Sequence, residues 1–203
     1  MQPRIYLTGR SVRLSPLDPL DAPAYAQWVN ADHLKPYLNR PWEISEQEER
    51  QRVETLMSSA NAVGFALRMK EDGALIGRTA IWNVHSVNRS GLFTIFIGDR
   101  AQWSKGLGTE ATALTTIYAM DELKLHRLEL ECYVYNDRAL RTYERLGFKR
   151  EGIRREAKLH DGAFHDAIQM AILESEWRAG AGARMREHLE QDPSRVPPAG
   201  AAR

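Results

Sequence analysis

Short segments in which hydrophobic and polar residues alternate recur along the chain, and this period of two predicts half-buried β-strands. Two of these segments flank a polar turn at residues 70–73 that ends in glycine, which predicts a β-hairpin. Another segment, residues 92–98, is apolar almost throughout, a pattern typical of a central strand covered on both faces. The predicted strands are 11–17, 63–69, 74–82, 92–98, 127–134, 148–152 and 166–177.

Other parts of the chain have apolar residues at the spacing of an α-helix. Ser45 and Glu48 form a capping-box pattern, which begins a helix that reaches about residue 59. Residues 107–123 carry apolar side chains around much of the helix, so this helix is expected to be well buried. Asn136 can cap a further helix, and Gly147 is placed to end it.

The order of these elements is β α α β β β α β α β β. It predicts an α/β (α+β) fold with one mixed, mostly antiparallel sheet flanked by helices. The strands 92–98 and 127–134 are joined through a helix, so they are expected to be parallel. Residues 178–203 differ in character: 180–191 is polar and compatible with a helix, and 192–203 is rich in Pro, Gly and Ala. A polar, flexible C-terminal tail is therefore expected.

The composition argues against several classes of protein. A formal net charge of +1 over 203 residues implies no strong global field, so no nucleic-acid partner is expected. No apolar run is long enough for a signal peptide or a membrane span, and the single cysteine, Cys132, cannot form an intramolecular disulfide. The six histidines lack metal-binding spacing. We expect a cytoplasmic protein with no membrane partner and no metal.

The stretch QWSKGLGTEA, residues 102–111, has the composition of a phosphate-binding turn. A P-loop does not fit, because Lys105 precedes the glycine and no hydroxyl follows a Gly-Lys pair. The dinucleotide fingerprint is satisfied by Gly106, Gly108 and Ala111, with Glu131 at the expected distance. Against it, seven residues separate the glycines from the preceding strand, and further β-α-β repeats are missing. An acyl-coenzyme A site is the third interpretation, because free helix amides and a lysine suit a pyrophosphate.

Several motifs together resemble the GNAT superfamily of N-acetyltransferases. WSKGLG, residues 103–108, matches the coenzyme A turn [RQ]-x-x-G-x-[GA] except at Trp103, which stands where the pattern has a basic residue or glutamine. The second signature, N-x-x-[AS]-x-x-x-Y-x-x-x-G-F, is matched from Asn136 through Tyr143 to Phe148. The sequence WSKGLGTEA and the C-terminal hairpin resemble the Rim-type branch. The resemblance covers residues 8–177, which we take as the domain.

The resemblance implies transfer of the acetyl group of acetyl-CoA to a primary amine by direct attack, in a monomer or homodimer. The acceptor would be a protein N-terminal α-amine or a small amine such as a polyamine, an amino acid or an aminoglycoside. A non-catalytic acetyl-CoA-binding module is the alternative. The sheet would split at its two parallel strands, and the coenzyme would bind there. The implied coenzyme-binding residues are Phe96, Ile97, Trp103, Ser104, Lys105, Gly106, Leu107, Gly108, Thr109 and Asn136.

The matched position of Tyr143 implies a general acid. A phenol with a pKa of about 10 is protonated at neutral pH and can supply the proton that a leaving thiolate needs. The general base is either water or one of five carboxylates: Asp99, Glu110, Glu129, Glu131 and Glu156. Glu129 and Glu131 are expected to lie on an ion-paired or solvated strand face, and Cys132 to be a small buried residue. The segments 31–44 and 159–165 are expected to shape the acceptor site. Trp42 and Asn83 are candidates for residues that line it.

Overall fold

The structure is a computed structural model that describes residues 7–39 and 43–190. Within these residues, eight strands form one sheet in the order β1-β2-β3-β4-β5-β6-β8-β7. All neighbouring strands are antiparallel except β5 and β6, which are parallel as predicted. The strands are β1 Leu7–Thr8, β2 Val12–Ser15, β3 Val63–Met69, β4 Leu75–His85, β5 Ser90–Ile97, β6 Arg127–Tyr133, β7 Lys149–His160 and β8 Ala163–Leu173.

Five helices cover the two faces of the sheet: α1 Ala22–Val29, α2 Glu46–Ser58, α3 Leu107–Ile117, α4 Asp137–Leu146 and α5 Gly182–Glu190. Short 3-10 helices lie at Pro19–Asp21, Lys35–Tyr37 and Arg100–Gln102. Helical turns also occur at Tyr118–Glu122, which continues α3, and at Glu174–Glu176 and Trp177–Ala181. The helices α3, α4 and α5 contribute to the larger core, and α1 and α2 to a smaller one on Tyr25, Val53 and Leu56. None of the helices in the described part of the chain has the length and hydropathy needed to cross a bilayer.

The predicted helix caps are confirmed. Ser45 and Glu48 make both bonds of a capping box, with 2.7 Å from the Ser45 N–H to Glu48 Oε2 and 3.2 Å from the Glu48 N–H to Ser45 Oγ. Asn136 Oδ1 accepts from the Ala139 N–H at the start of α4. Gly147 ends α4 at φ +100°, a left-handed conformation that favours glycine.

The two parallel strands, β5 and β6, pair over a short stretch only, and the sheet is split beyond it. β5 and β6 pair only at Ser90 with Arg127, Gly91 with Leu128 and Leu92 with Glu129. Beyond these positions, β5 continues to Ile97 and β6 to Tyr133 without pairing. The resulting split was implied by the family resemblance. It also corrects the expectation that β5 is covered on both faces, because its second half borders an open cavity.

The C-terminal part differs from the sequence prediction in two ways. The last strand ends at Leu173 and not at residue 177, because the Leu173 N–H is capped by Glu176 and a helical turn begins. The expectation of a flexible tail from residue 178 is wrong for residues 178–190, since α5 packs against α3 and Met185 is buried. Residues 191–203 lie outside the described residues, and the domain limits 8–177 stay a prediction.

Candidate active site

A cavity of about 740 Å³ fills the split between β5 and β6. One end is formed by the turn before α3, and one wall by the inner face of α4. The other end is formed by residues 34–39, between α1 and α2. The cavity is therefore bordered both by the glycine turn and by the loop after α1.

The glycine turn gives the first end of the cavity its chemistry. Ser104 and Gly106 have φ of +63° and +81°, so the chain makes a left-handed turn directly before α3. The first amide bonded within the helix is that of Glu110, which donates to the Gly106 carbonyl. The preceding amides, at residues 107–109, have no helical acceptor, and the positive end of the helix dipole lies there. This arrangement suits an anion such as a pyrophosphate.

The predicted coenzyme-binding residues largely meet at this cavity. Eight of the ten line it: Phe96, Ile97, Trp103, Ser104, Gly106, Gly108, Thr109 and Asn136. Lys105 does not; its exposed ammonium donates to Gln102 Oε1 at 3.2 Å. The Leu107 side chain is buried in the core, so only its backbone amide is available. The binding role of all ten residues stays a prediction.

Backbone direction decides which groups of β5 reach the cavity. The Gly98 N–H donates to the Ile76 carbonyl at 2.8 Å, and the Phe96 carbonyl lies against Gly77, so both point towards β4. Because successive residues of a strand direct their backbone groups to opposite sides, those of Ile95 and Ile97 point towards β6. The geometry thus favours the backbone of Ile95 and the N–H of Ile97 as partners of a ligand, since the Ile97 carbonyl already accepts from the Trp103 indole N–H at 2.8 Å. Phe96 is available through its side chain only.

Tyr143 lies on the inner face of α4 and lines the cavity. Its ring packs edge-on against Phe93 and Phe148, at centroid distances of 6.2 and 6.0 Å. No described residue hydrogen-bonds to its hydroxyl. Burial raises the pKa of the Tyr143 phenol above its ordinary value, and Cys132 adds to the shift. The hydroxyl is therefore a protonated donor beside the cavity, as a general acid requires.

Of the five candidate bases, only Glu131 lines the cavity. Glu110 is buried and accepts from the backbone amides of Ser11 and Val12, at 2.8 and 2.9 Å. Asp99 caps the short helix that follows it by accepting from the Ala101 N–H. These two carboxylates serve the fold, which explains their presence without a catalytic role.

The prediction of an ion-paired strand face is confirmed. Glu129 pairs with Arg127 at 3.0 Å, and Glu131 pairs with Arg154. Glu156 lies on the exposed β7–β8 hairpin, away from the cavity. Cys132 is buried as expected, and burial raises the pKa of its thiol to about 12, which disfavours a thiolate nucleophile.

The predicted acceptor segments contribute unequally. Leu34, Tyr37, Leu38 and Asn39 line the second end of the cavity, whereas the turn at 159–165 and Asn83 do not line it. Trp42 lies outside the described residues. His160 and His165 instead contact the ring of Tyr135, at 5.3 and 5.0 Å. Within residues 7–39 and 43–190, no group of His, Cys, Asp or Glu side chains could hold a metal ion.

Sequence reasoning missed three polar residues on α4. Arg138, Thr142 and Arg145 line the cavity, spaced four and three residues apart beside Tyr143. Neither arginine pairs with a carboxylate among the described residues. The helical periodicity that placed Tyr143 inward was the signal that would have found them.

Comparison with known proteins identifies the family. The model of the "Acetyltransferase (GNAT) domain" matches residues 11–149. The chain belongs to the GNAT acetyltransferase family. Among solved GNAT structures, a GCN5-related N-acetyltransferase from Brucella melitensis superposes with a TM-score of 0.75 at 26% identity, covering 98% of this chain and 90% of that one.

Curated GNAT relatives bear several names. "Probable N-acetyltransferase YjcK" of Bacillus subtilis is 30% identical over 183 residues, 82% of this chain and 96% of that protein. "Putative ribosomal N-acetyltransferase YdaF" of the same organism is 30% identical over 118 residues, 58% and 64% of the two chains. Spermidine N(1)-acetyltransferase of Escherichia coli is 27% identical over 185 residues, 85% and 91%. The protein is therefore an acetyl-CoA-dependent enzyme that transfers an acetyl group to an amine, which excludes the binding-module and dinucleotide alternatives.

The cavity of this GNAT enzyme suits acetyl-CoA. A Cβ built at Gly106 meets nothing within 4 Å, and one at Gly108 meets only Ile97 Cγ1, at 4.0 Å. The turn thus leaves open space where a pyrophosphate can approach the free amides. Arg138 and Arg145 add positive charge along the wall.

Gly108→Leu tests the turn directly. Because the Cβ position is open and glycine is a poor helix former, the variant is expected to fold with unchanged or higher Tm. Its side chain would enter the cavity, so acetyl-CoA Kd is expected to rise by about tenfold or more. Calorimetric titration measures Kd, and Gly108→Ala, which the family pattern permits, is the matched control. Equal Kd values for Gly108→Leu and the wild type would contradict the assignment.

Proposed function

We propose that this enzyme acetylates a protein N-terminal α-amine. The observation that carries the proposal is the charge of the cavity wall. In the described part of the wall, Glu131 is the single carboxylate, and it is already paired with Arg154. Arg138 and Arg145 are cationic. A polyamine retains ammonium groups beyond the one that reacts, and these need carboxylate partners, whereas a polypeptide N-terminus presents one amine and neutral amides.

The other residues of the acceptor end also suit the N-terminal residue of a polypeptide. Leu34, Tyr37 and Leu38 give it an apolar and aromatic wall, and Asn39 adds an amide. Such a wall suits the side chain and backbone of a first residue. The relative named for ribosomal acetylation and the resemblance to the Rim-type branch support the same acceptor class.

We assign the donor end to the turn at residues 103–109. Acetyl-CoA supplies the acetyl group as an activated thioester, which an amine attacks directly. The free amides of the turn would hold the pyrophosphate, and Asn136 and the backbone of Ile95 and Ile97 would border the pantetheine. The Tyr143 hydroxyl would donate its proton to the sulfur that leaves. The raised pKa of Tyr143 keeps the phenol protonated at neutral pH, so that a proton is available at the sulfur. Because a thiol with a pKa of about 8.5 is the stronger acid, the transfer has to accompany breakage of the C–S bond, and the tyrosine then regains its proton from the amine or from water.

The amine must lose a proton before it attacks, since an α-amine with a pKa of about 8 is mostly protonated at pH 7. Glu131 is the one described carboxylate of the five candidates that borders the cavity. It therefore remains the side-chain candidate, beside direct transfer to water in the open cavity.

Spermidine is the second candidate acceptor, because a relative covering most of this chain is named for it. The two acceptors are separated by measuring thiol release with short peptides that carry free N-termini, with N-terminally blocked peptides that contain lysine, and with spermidine. We expect kcat/KM for the free N-terminal peptides to exceed that for spermidine by about 100-fold, a difference of about 2.7 kcal/mol in the activation free energy. Higher kcat/KM for spermidine would overturn the proposal.

A further inference from the structure

Trp103 stands where the donor turn meets the acceptor loop. Its indole N–H donates to the Ile97 carbonyl at 2.8 Å, which fixes the ring against the end of β5. On the α4 side, the Arg138 guanidinium carbon lies 4.3 Å from the ring centroid, within cation–π range. The side chain is therefore held by two elements of the donor half of the site, β5 and α4.

The same ring also contacts the acceptor loop. The rings of His33 and Tyr37 meet Trp103 edge-on, at centroid distances of 5.4 and 6.0 Å. Both residues belong to the segment 31–39, and Tyr37 lines the acceptor end of the cavity. His33 also contacts the Gly98 carbonyl through Nε2, at 3.0 Å.

The same segment is also fastened by two side-chain hydrogen bonds. The Tyr135 hydroxyl donates to the Pro36 carbonyl at 2.6 Å, and the Lys158 ammonium donates to the Leu38 carbonyl at 2.7 Å. The loop is thus clamped between these bonds and Trp103. Loss of Trp103 would remove one side of the clamp and leave the other in place.

We propose that Trp103 is a positioning residue for the amine acceptor, acting through Tyr37 and His33, and that Arg138 provides the positive charge which the family pattern often places at residue 103. This inference rests on the proposed assignment of donor and acceptor ends. The cationic role is open to Arg138 because it borders the cavity and makes no ion pair with a described carboxylate. The tryptophan is then free to serve the acceptor wall.

Trp103→Arg tests the proposal, because it restores the family residue. Since aromatic contacts of this kind contribute about 0.5–1.5 kcal/mol each, which is up to about tenfold, we expect the KM for an N-terminal peptide to rise about tenfold. Because Trp103 also belongs to the donor turn, the readout is the comparison of the two constants: the peptide KM should rise about tenfold relative to any change in the acetyl-CoA KM. Trp103→Phe, which keeps a ring, should largely restore the peptide KM. Gly108→Leu should show the opposite pattern, with only the acetyl-CoA KM raised.

Hydrogen exchange gives a readout that does not depend on the acceptor. With CoA as the probe, we expect slower exchange in the wild type at residues 104–112 and also at 31–39. In Trp103→Arg, only 104–112 should slow. Equal slowing of 31–39 in both proteins, or an unchanged peptide KM in Trp103→Arg, would overturn the positioning role. No slowing at 104–112 in the wild type would instead overturn the donor assignment, and the positioning role with it.

Discussion

Tyr143→Phe is expected to lower kcat by about 10²- to 10⁴-fold, the contribution typical of a general acid, while acetyl-CoA Kd stays unchanged. The substitution removes one oxygen from a side chain whose ring packs against Phe93 and Phe148, so the packing of α4 is retained. What is lost is the proton donor at the cavity. Thiol release under saturating acetyl-CoA measures kcat, and calorimetric titration measures Kd.

The pKa of Tyr143 also predicts the direction in which the rate changes with pH. Because burial raises the pKa of Tyr143 above its ordinary value, the phenol stays protonated throughout neutral and moderately alkaline pH. The rate is therefore expected to rise with pH as the amine deprotonates, without a fall below pH about 10, the ordinary pKa of the phenol. Tyr118→Phe is the matched control, since Tyr118 is also a buried tyrosine on a helix but lies outside the cavity. Equal kcat values for Tyr143→Phe and Tyr118→Phe would contradict the assignment of Tyr143 as the general acid.

The features of the fold and of the site that the sequence predicts well depend on residues close together in the chain. The capping box of Ser45 and Glu48 lies within one helical turn, and so does the turn of Ser104 and Gly106. The helix from Asn136 to Gly147 carries its own start, its own stop and an inward stripe that contains Tyr143. In each case the cause is local backbone geometry, which residue type alone constrains.

The parts that were missed depend on contacts between distant residues. The contact of Trp103 with Arg138 joins two separate elements, and that of Tyr135 with Pro36 joins residues 99 positions apart. The polar helix α5 looks like a solvent-exposed tail in sequence, because Met185 and Leu189 are its only large apolar residues and lie among charged neighbours. Only the tertiary fold shows that it lies against α3.

A buried ion pair behind the cavity leads to the largest expected stability effect. Arg78 on β4 and Glu49 on α2 approach to 2.6 Å, with side chains 6% and 0% exposed. The Arg78 guanidinium also lies 4.9 Å from the Tyr25 ring and 5.5 Å from that of Phe96. This pair attaches α2 to β4, and its Arg78 also contacts Phe96 on the neighbouring strand β5, which borders the cavity.

Glu49→Gln should lower the free energy of unfolding by about 3–5 kcal/mol, because it leaves the Arg78 charge buried without its partner. For a chain of this size each kcal/mol lowers Tm by about 2–4 °C, so calorimetry will resolve the change. Glu54→Gln makes the same substitution at an exposed site of the same helix and should change stability by less than about 0.5 kcal/mol. Glu49→Leu combined with Arg78→Met removes both charges and should recover most of the loss, since apolar replacements of buried pairs are often neutral. If Glu49→Gln and Glu54→Gln shift Tm equally, the pair does not carry the attachment of α2.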